Sequence, residues 1–455
     1  MQNPEVTSKL THEERRKFKN FLVIWIGQKF SYLGSAIVQF ALIWWITEVT
    51  QSASFLSLSF FLTFVPRVLL SPLAGRFADK YDRKKLLIIA DSLQAFTTFI
   101  LIAAIYFRGF MVGLVLMFNT LRAIFQTFHN PVSATLVPLM VPKKKFSNIN
   151  GLNQLFLSVL DLLTPAIAAF LMVFFPISII LWVDVVTFLI AFCFLIPATI
   201  PKQNQPFRNQ NQIKETQSKK RRFQRITDGL ELFKEIPGLG AIISVVIIAN
   251  LMLTPFNALI TYFVNVSHGG SEIEMAILSG CLQVGIITGS ILVSLKRKWV
   301  HKTRAMFISI ISLFFGIIFF GLAPNGSFYW IYIGGISITF LLPIFRTLRA
   351  TITQMSVPVQ KMGRFVGFFM VFNSLSMMVG YLVVGPLAEL IGIVPLFISS
   401  ASLAIFIITL IFLFSKIKQL EAISLEPSDY APQKDEIPPS IKKSDQKEPI
   451  ETPAP

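Results

Sequence analysis

Of the 455 residues, 53% are hydrophobic and only 14% charged, against about 25% charged in a water-soluble chain, so a soluble globular class is excluded and a chain that crosses a membrane many times is expected. The formal net charge of +17 would point to nucleic acid only if the basic residues gathered on one folded surface, and their placement along the chain excludes that. Cys193 and Cys281 both fall inside apolar runs, which excludes a disulfide framework and makes them packing residues.

A span needs about 20 apolar residues. The runs predict helices over 21–47, 53–74, 86–107, 110–134, 151–175, 177–199, 238–265, 274–295, 305–322, 328–348, 365–387 and 392–415. The first run is too long for a signal-peptide core and is read as a retained span. An even number of spans puts both termini on one side. The connections on that side carry most of the 41 basic residues, from Arg15, Arg16 and Lys17 through Lys143, Lys144 and Lys145 to Lys219, Lys220 and Arg221. The opposite connections carry Glu48, Glu272, Glu274, Glu389 and a single base, Arg108. The positive-inside rule then makes both termini cytoplasmic, and the basic excess is explained by topology and attraction to anionic lipid, with no nucleic-acid partner.

The expected fold is therefore an all-α membrane protein of twelve helices in two six-helix bundles. A cytoplasmic segment 1–20 leads into the bundle 21–199. A cytoplasmic linker, 200–237, holds Leu230, Leu232 and Phe233 at the spacing of an amphipathic surface helix and joins the second bundle, 238–415. The tail 416–455 is rich in Pro, Lys, Asp and Glu and is expected to be disordered and cytoplasmic. Aligning Ala134-Thr135 with Ala350-Thr351 also aligns Val141-Pro142 with Val357-Pro358 and Gly151 with Gly367. Such parallel repeats bind substrate near the midplane between them.

Charges inside spans are costly and normally face a cavity or each other. Lys29, Arg122 and Asp161 all reach mid-depth in the first half and are candidates for proton coupling or a substrate cavity. An acid between two bases can take a proton as one base swings away, while a fixed ion pair is the competing reading. Arg346 and Arg349, three apart near the inner end of the tenth span, either form an i, i+3 face toward the cavity or snorkel to lipid phosphates, and the second is the expectation. Trp25, Trp44, Trp45 and a few Phe residues are candidates for an apolar pocket wall. His129 is the histidine within a span, and no pair of ligands has metal spacing, so neither metal nor cofactor is expected. No Gly-x-x-x-x-Gly-Lys loop is present for ATP, and the far connections offer no nucleophile with a base, so an enzyme is not expected.

The stretch Gly75-Arg-Phe-Ala-Asp79-Lys-Tyr-Asp82-Arg83-Lys84-Lys85 is similar to the Gly-x-x-x-Asp-(Arg/Lys)-x-(Gly/Asp)-Arg-(Arg/Lys) loop between helices two and three of major facilitator superfamily transporters, with Gly75, Asp79, Asp82, Arg83 and Lys84 at the matching positions. Trp25-Ile26-Gly27-Gln28, Gly34, Ser35, Ala90-Asp91, Phe128-His129-Asn130-Pro131 and Val141-Pro142 resemble the branch of macrolide-type and related drug exporters. The resemblance covers roughly 20–415. It implies a secondary active transporter in which the loop is a gate: Asp79 pairs with Arg83 or Lys84 and with a helix N-terminus of the opposite half, in only one conformation.

Arg122 stands at the family's helix-four arginine. Asp91 and Asp184 match family positions and read as structural, Asp91 bracing the Asp79 loop. Thr164-Pro165-Ala166 stands where proton antiporters carry a Gly-Pro-rich element, keeping the proline and small residues without the glycines. Together these imply proton-coupled efflux of amphiphilic drugs such as macrolides across a bacterial cell membrane. The expected partners are a small amphiphilic substrate and membrane lipid, and the expected state is a monomer. Export or flipping of a dedicated metabolite, siderophore or lipid is the alternative, as is a non-transporting scaffold.

Overall fold

No water in a bilayer core can take up backbone N–H and C=O groups, so a spanning chain satisfies them within its own helices. The computed structural model describes residues 11–109, 111–201, 236, 238–296, 299–415 and 417. The segment 1–10, most of the linker with its expected amphipathic helix, and nearly all of the tail lie outside them. Among the described residues there is no strand, and the chain forms α1 (His12–Thr50), α2 (Ala53–Lys80), α3 (Arg83–Arg108), α4 (Val112–Met140), α5 (Phe146–Phe174), α6 (Ile177–Leu195), α7 (Leu239–Ser267), α8 (Glu272–Leu295), α9 (Lys302–Gly321), α10 (Phe328–Ser356), α11 (Val359–Ile391) and α12 (Ile393–Phe414).

Eleven of these are long and apolar enough to cross a membrane. The exception is α4, which carries Asn119, Arg122, Gln126, His129 and Asn130. Two helices depart from plain α geometry: α7 ends in a π turn over Phe263–Ser267, and α10 breaks at Leu341, with Pro343 opening its second segment.

Several helices outrun their apolar cores. The first begins at His12 because Thr11 and Glu14 form a capping box, Thr11 N–H donating to Glu14 Oε2 at 2.9 Å. The second runs on through Gly75 to Lys80, and Asp82 caps α3 by accepting from Lys85 N–H at 3.0 Å. Most of the expected gating loop is thus helical, and Tyr81 and Asp82 alone separate α2 from α3.

The two halves, α1–α6 and α7–α12, each pack around small residues. A Cβ on Gly34 of α1 would stand 1.9 Å from Thr187 Oγ1 of α6, and one on Gly289 of α8 would stand 1.9 Å from the Phe340 carbonyl oxygen of α10. These helices approach at backbone distance, as membrane helices do when a side chain is missing. Pro165 is buried in α5 beside Ala168 and Ala169, and Ala168 joins Ile37, Ala41 and Ile180 in a cluster linking α5 with α1 and α6. The halves meet through α2 with α11, α5 with α8, and α2 with α7. The end of the bundle that holds the Tyr81–Asp82 turn is called the loop side below, and the other end the far side. At the far side Trp44, Ala53 and Leu56 enter the aromatic core formed by Phe256, Phe263, Phe320 and Phe397. Phe170, Phe174, Phe406 and Leu390 are exposed on the outside, as a lipid-facing surface requires.

Candidate functional site

Four helices of the first half, α1, α3, α4 and α5, enclose a cavity of about 740 Å³ on the loop side. Its wall alternates apolar and polar groups: Trp25, Gln28, Lys29 and Tyr32 from α1, Asp91 from α3, Gln126, His129 and Ser133 from α4, and Asn150 and Asn153 from α5. Gln28 ties α1 to both neighbours. Its Nε2 donates to Asp91 Oδ2 at 2.8 Å, and its Oε1 lies 2.8 Å from His129 Nε2, which is itself 3.5 Å from Asp91 Oδ1. Asp91 therefore faces the cavity in an acid–amide–imidazole cluster. It does not brace the Asp79 turn, as the sequence led us to expect.

Lys29 is held at the same wall. Its Nζ donates to Asn153 Oδ1 at 2.6 Å and lies 5.3 Å from the Trp25 ring centroid and 5.8 Å from that of Phe156. Two aromatic faces and an amide stabilise the ammonium. Among the described residues no carboxylate pairs with it.

The expected cluster of Lys29, Arg122 and Asp161 does not form. Arg122 is buried and donates from Nη2 to Asp184 Oδ2 at 3.0 Å. The same carboxylate accepts from Ser35 Oγ and Thr98 Oγ1, both at 2.6 Å. This network joins α1, α3, α4 and α6 away from any charge on α5. Asp161 is exposed on α5 and makes no ion pair among the described residues. Depth along a helix fixes where a side chain sits in the membrane but not the direction it points. Arg122 turns toward α6, and Lys29 reaches α5 at Asn153, about two helical turns along the axis from Asp161.

Around the Tyr81–Asp82 turn the expected gate contacts are absent in this conformation. Asp79 is exposed and makes no hydrogen bond or ion pair among the described residues. Asp82 is engaged in capping α3, Arg83 opens that helix, and Lys84 Nζ donates to the Ile196 carbonyl at 2.6 Å, at the C-terminal end of α6. Gly75 of α2, Gly151 of α5 and Gly367 of α11 each have no atom within 4 Å of where a Cβ would stand. No other element fills the Cβ direction at these three positions.

The far side is closed. Glu389 of α11 accepts from Ser52 Oγ at 2.5 Å and from Ser54 N–H at 3.1 Å, capping the start of α2 from the opposite half. Below it Tyr381 packs its ring against Phe60 and Phe64, with centroids 5.5 and 5.8 Å apart. Among the described residues, these are the hydrogen bonds and ring contacts that join the halves. The first-half cavity thus lies toward the open end of a bundle sealed at the other.

A smaller cavity of about 190 Å³ lies within the second half, between α7, α9, α10 and α11. Arg346 and Arg349 line it together with Asn250, Asn373 and Phe369, so the two arginines face protein where a lipid contact was expected. His129, Gln28 and Glu389 appeared in the sequence reading without a site role, and Asn250 and Asn373 did not appear in it. The signal for the first was present, since His129 and Asp91 lie at comparable distances from the loop-side ends of adjacent spans.

Residues 24–381 match the model of the Major Facilitator Superfamily. The chain belongs to this superfamily. It is similar to Macrolide efflux protein A of Streptococcus pyogenes, 26% identical over 403 residues, which is 88% of this chain and 97% of that protein. It is also 26% identical over 407 residues to the Staphyloferrin A transporter of Staphylococcus aureus, covering 88% of this chain and 96% of the relative. Among solved structures the facilitator fold recurs in a bacterial homologue of the iron transporter ferroportin in an inward-facing state, with a TM-score of 0.65 at 12% identity over 86% of this chain and 98% of that one. It recurs in a D-xylose-proton symporter, with a TM-score of 0.62 at 14% identity over 89% and 99%. The protein is a multi-pass membrane transporter of the facilitator superfamily, as the motif around Asp79 implied.

Proposed function

We propose that this facilitator is a secondary active exporter of a small amphiphilic compound, working by alternating access at a bacterial cell membrane with both termini cytoplasmic. The observation that carries the reading is the first-half cavity: aromatic walls beside a titratable acid–imidazole cluster, reachable from the loop side while Glu389 and Tyr381 close the far side. An amphiphile would lay its apolar body against Trp25 and Phe21 and its polar groups toward Gln126, Asn150 and Asn153. Asp91 and His129 would carry the proton, because the imidazole nitrogen lies 3.5 Å from the carboxylate and the two can pass a proton between them. Exposed Asp161 is the second carboxylate able to serve.

In the return conformation the far-side contacts of Glu389 separate. The loop-side ends of α2, α5 and α11 close, and Asp79 finds the helix N-terminus of the other half that it lacks here. The working unit is a monomer in lipid, without a bound cofactor. Macrolides are the first cargo to test, because Macrolide efflux protein A is similar over most of the chain. A carboxylate-bearing metabolite is the second reading. It is favoured by intramembrane bases that have no acidic partner among the described residues, Lys29, Arg346 and Arg349 among them.

The test is accumulation of macrolides and fluorescent amphiphiles in cells stripped of their own exporters, with and without this chain, before and after collapse of the proton gradient. Lower accumulation that rises on collapse is the expected result. No difference with any compound, in cells that contain the folded protein, would overturn drug export.

A further inference from the structure

The break at Leu341 ends the far-side segment of α10, and a second segment, Leu342–Ser356, turns toward the loop side. Arg346 and Arg349 are three apart on it and so share a face. That face looks into the second-half cavity, where Arg349 lies 5.0 Å from the Phe369 ring centroid. A guanidinium inside a membrane is normally balanced by a carboxylate. Neither arginine has one within ion-pair distance among the described residues, and each adds its repulsion to the other's burden.

The remaining polar groups are also donors in waiting. Asn250 Nδ2 donates to Asn373 Oδ1 at 2.5 Å, which leaves the Asn373 side-chain N–H groups uncommitted among the described residues. The rest of the wall, with Leu253, Phe314 and Phe345, is apolar. Two cations, an amide donor and an apolar rim match an anionic oxygen group on an apolar body, and they repel an amine. At about 190 Å³ the space is below the roughly 300 Å³ of a whole-ligand pocket, so it fits one arm of a molecule.

We propose that Arg346 and Arg349, with Asn373, form a subsite for a carboxylate arm of the transported compound. This rests on the transport reading but does not need export or a proton gradient, so binding tests it alone. The probe is 11-(dansylamino)undecanoic acid, compared with its methyl ester, titrated against the purified full chain in phosphatidylcholine nanodiscs and read by energy transfer from tryptophan.

The acid should bind more than about tenfold tighter than the ester, a gap of about 1.4 kcal/mol. In the double variant Arg346→Gln/Arg349→Gln the gap should close to less than about twofold, with ester binding unchanged. Arg346→Lys/Arg349→Lys should keep most of it. Should the glutamine pair fail to fold, single Arg346→Gln carries the comparison, since that side chain is exposed to the cavity. Equal binding of acid and ester, or a gap that survives removal of the guanidinium groups, overturns the proposal. So does a loss of acid binding when phosphatidylglycerol replaces phosphatidylcholine, if confined to the native protein, because the net-anionic lipid headgroup would then be the occupant.

Discussion

Gly385 of α11 lies against Ser57 of α2 so closely that a Cβ there would stand 2.1 Å from Ser57 Oγ and 2.6 Å from the Cα of Ser54. The second contact is with backbone, which has no rotamer to yield. Gly385→Val should therefore push the far-side ends of the halves apart, at an overpacking cost of about 1–3 kcal/mol to the closed state. Spin labels on exposed Val49 and Leu390 would read this by pulsed dipolar spectroscopy, with a longer distance appearing beside the native one. An unchanged distribution would mean that Gly385 does not hold the seal.

Glu389 contributes to the same closure through hydrogen bonds instead of shape. It is exposed, so its loss should cost the seal only about 1 kcal/mol, roughly a fivefold shift in the open population. Hydrogen exchange over residues 52–57 should accelerate in Glu389→Ala, the Ser54 amide first. Native-like protection of that amide would show that α2 needs no cap from the other half.

We read the buried Arg122–Asp184 pair as structural, and its energetics separate that reading from a proton site. Removing one partner leaves the other charge buried, at a cost of about 3–5 kcal/mol, so Asp184→Asn and Arg122→Gln should each unfold at a clearly lower temperature in detergent. The double variant Arg122→Met/Asp184→Leu should recover most of the loss and still transport. A stable double variant without gradient-driven flux would instead place coupling at this pair.

Asp91 carries the coupling proposal. In proteoliposomes Asp91→Asn should abolish uphill transport while downhill exchange of the same cargo continues. Asp161→Asn, run in parallel, distinguishes the two carboxylates, since only the one that carries the proton should show that separation. Uphill transport intact in both would remove proton coupling from this cavity.

The helix count was legible because each apolar run is long and closed by polar punctuation such as Ser52 and Asp82, both of which cap helices here. The length of α1 was less so, because the segment from His12 to Lys19 is polar and its helix depends on the Thr11–Glu14 box. Partners were the hard part. Arg122 is the sole Lys or Arg of α4 and Asp184 the sole acid of α6, a pairing that composition permits, but choosing it over Asp161 needs the azimuth of each helix within the bundle. The anionic far-side contact of Glu389 was invisible for a related reason. It joins residues at the ends of α2 and α11, and no local pattern links them.

The open Cβ directions at Gly75, Gly151 and Gly367 would give the proposed cycle a pharmacology separate from its cargo. In the proposed cycle those helix ends close, so a compound seated beside one of them would arrest transport in one state without resembling anything the protein carries. Its inhibition would be noncompetitive, raising cargo concentration would not relieve it, and bulky substitutions at the three glycines would reproduce it without any drug.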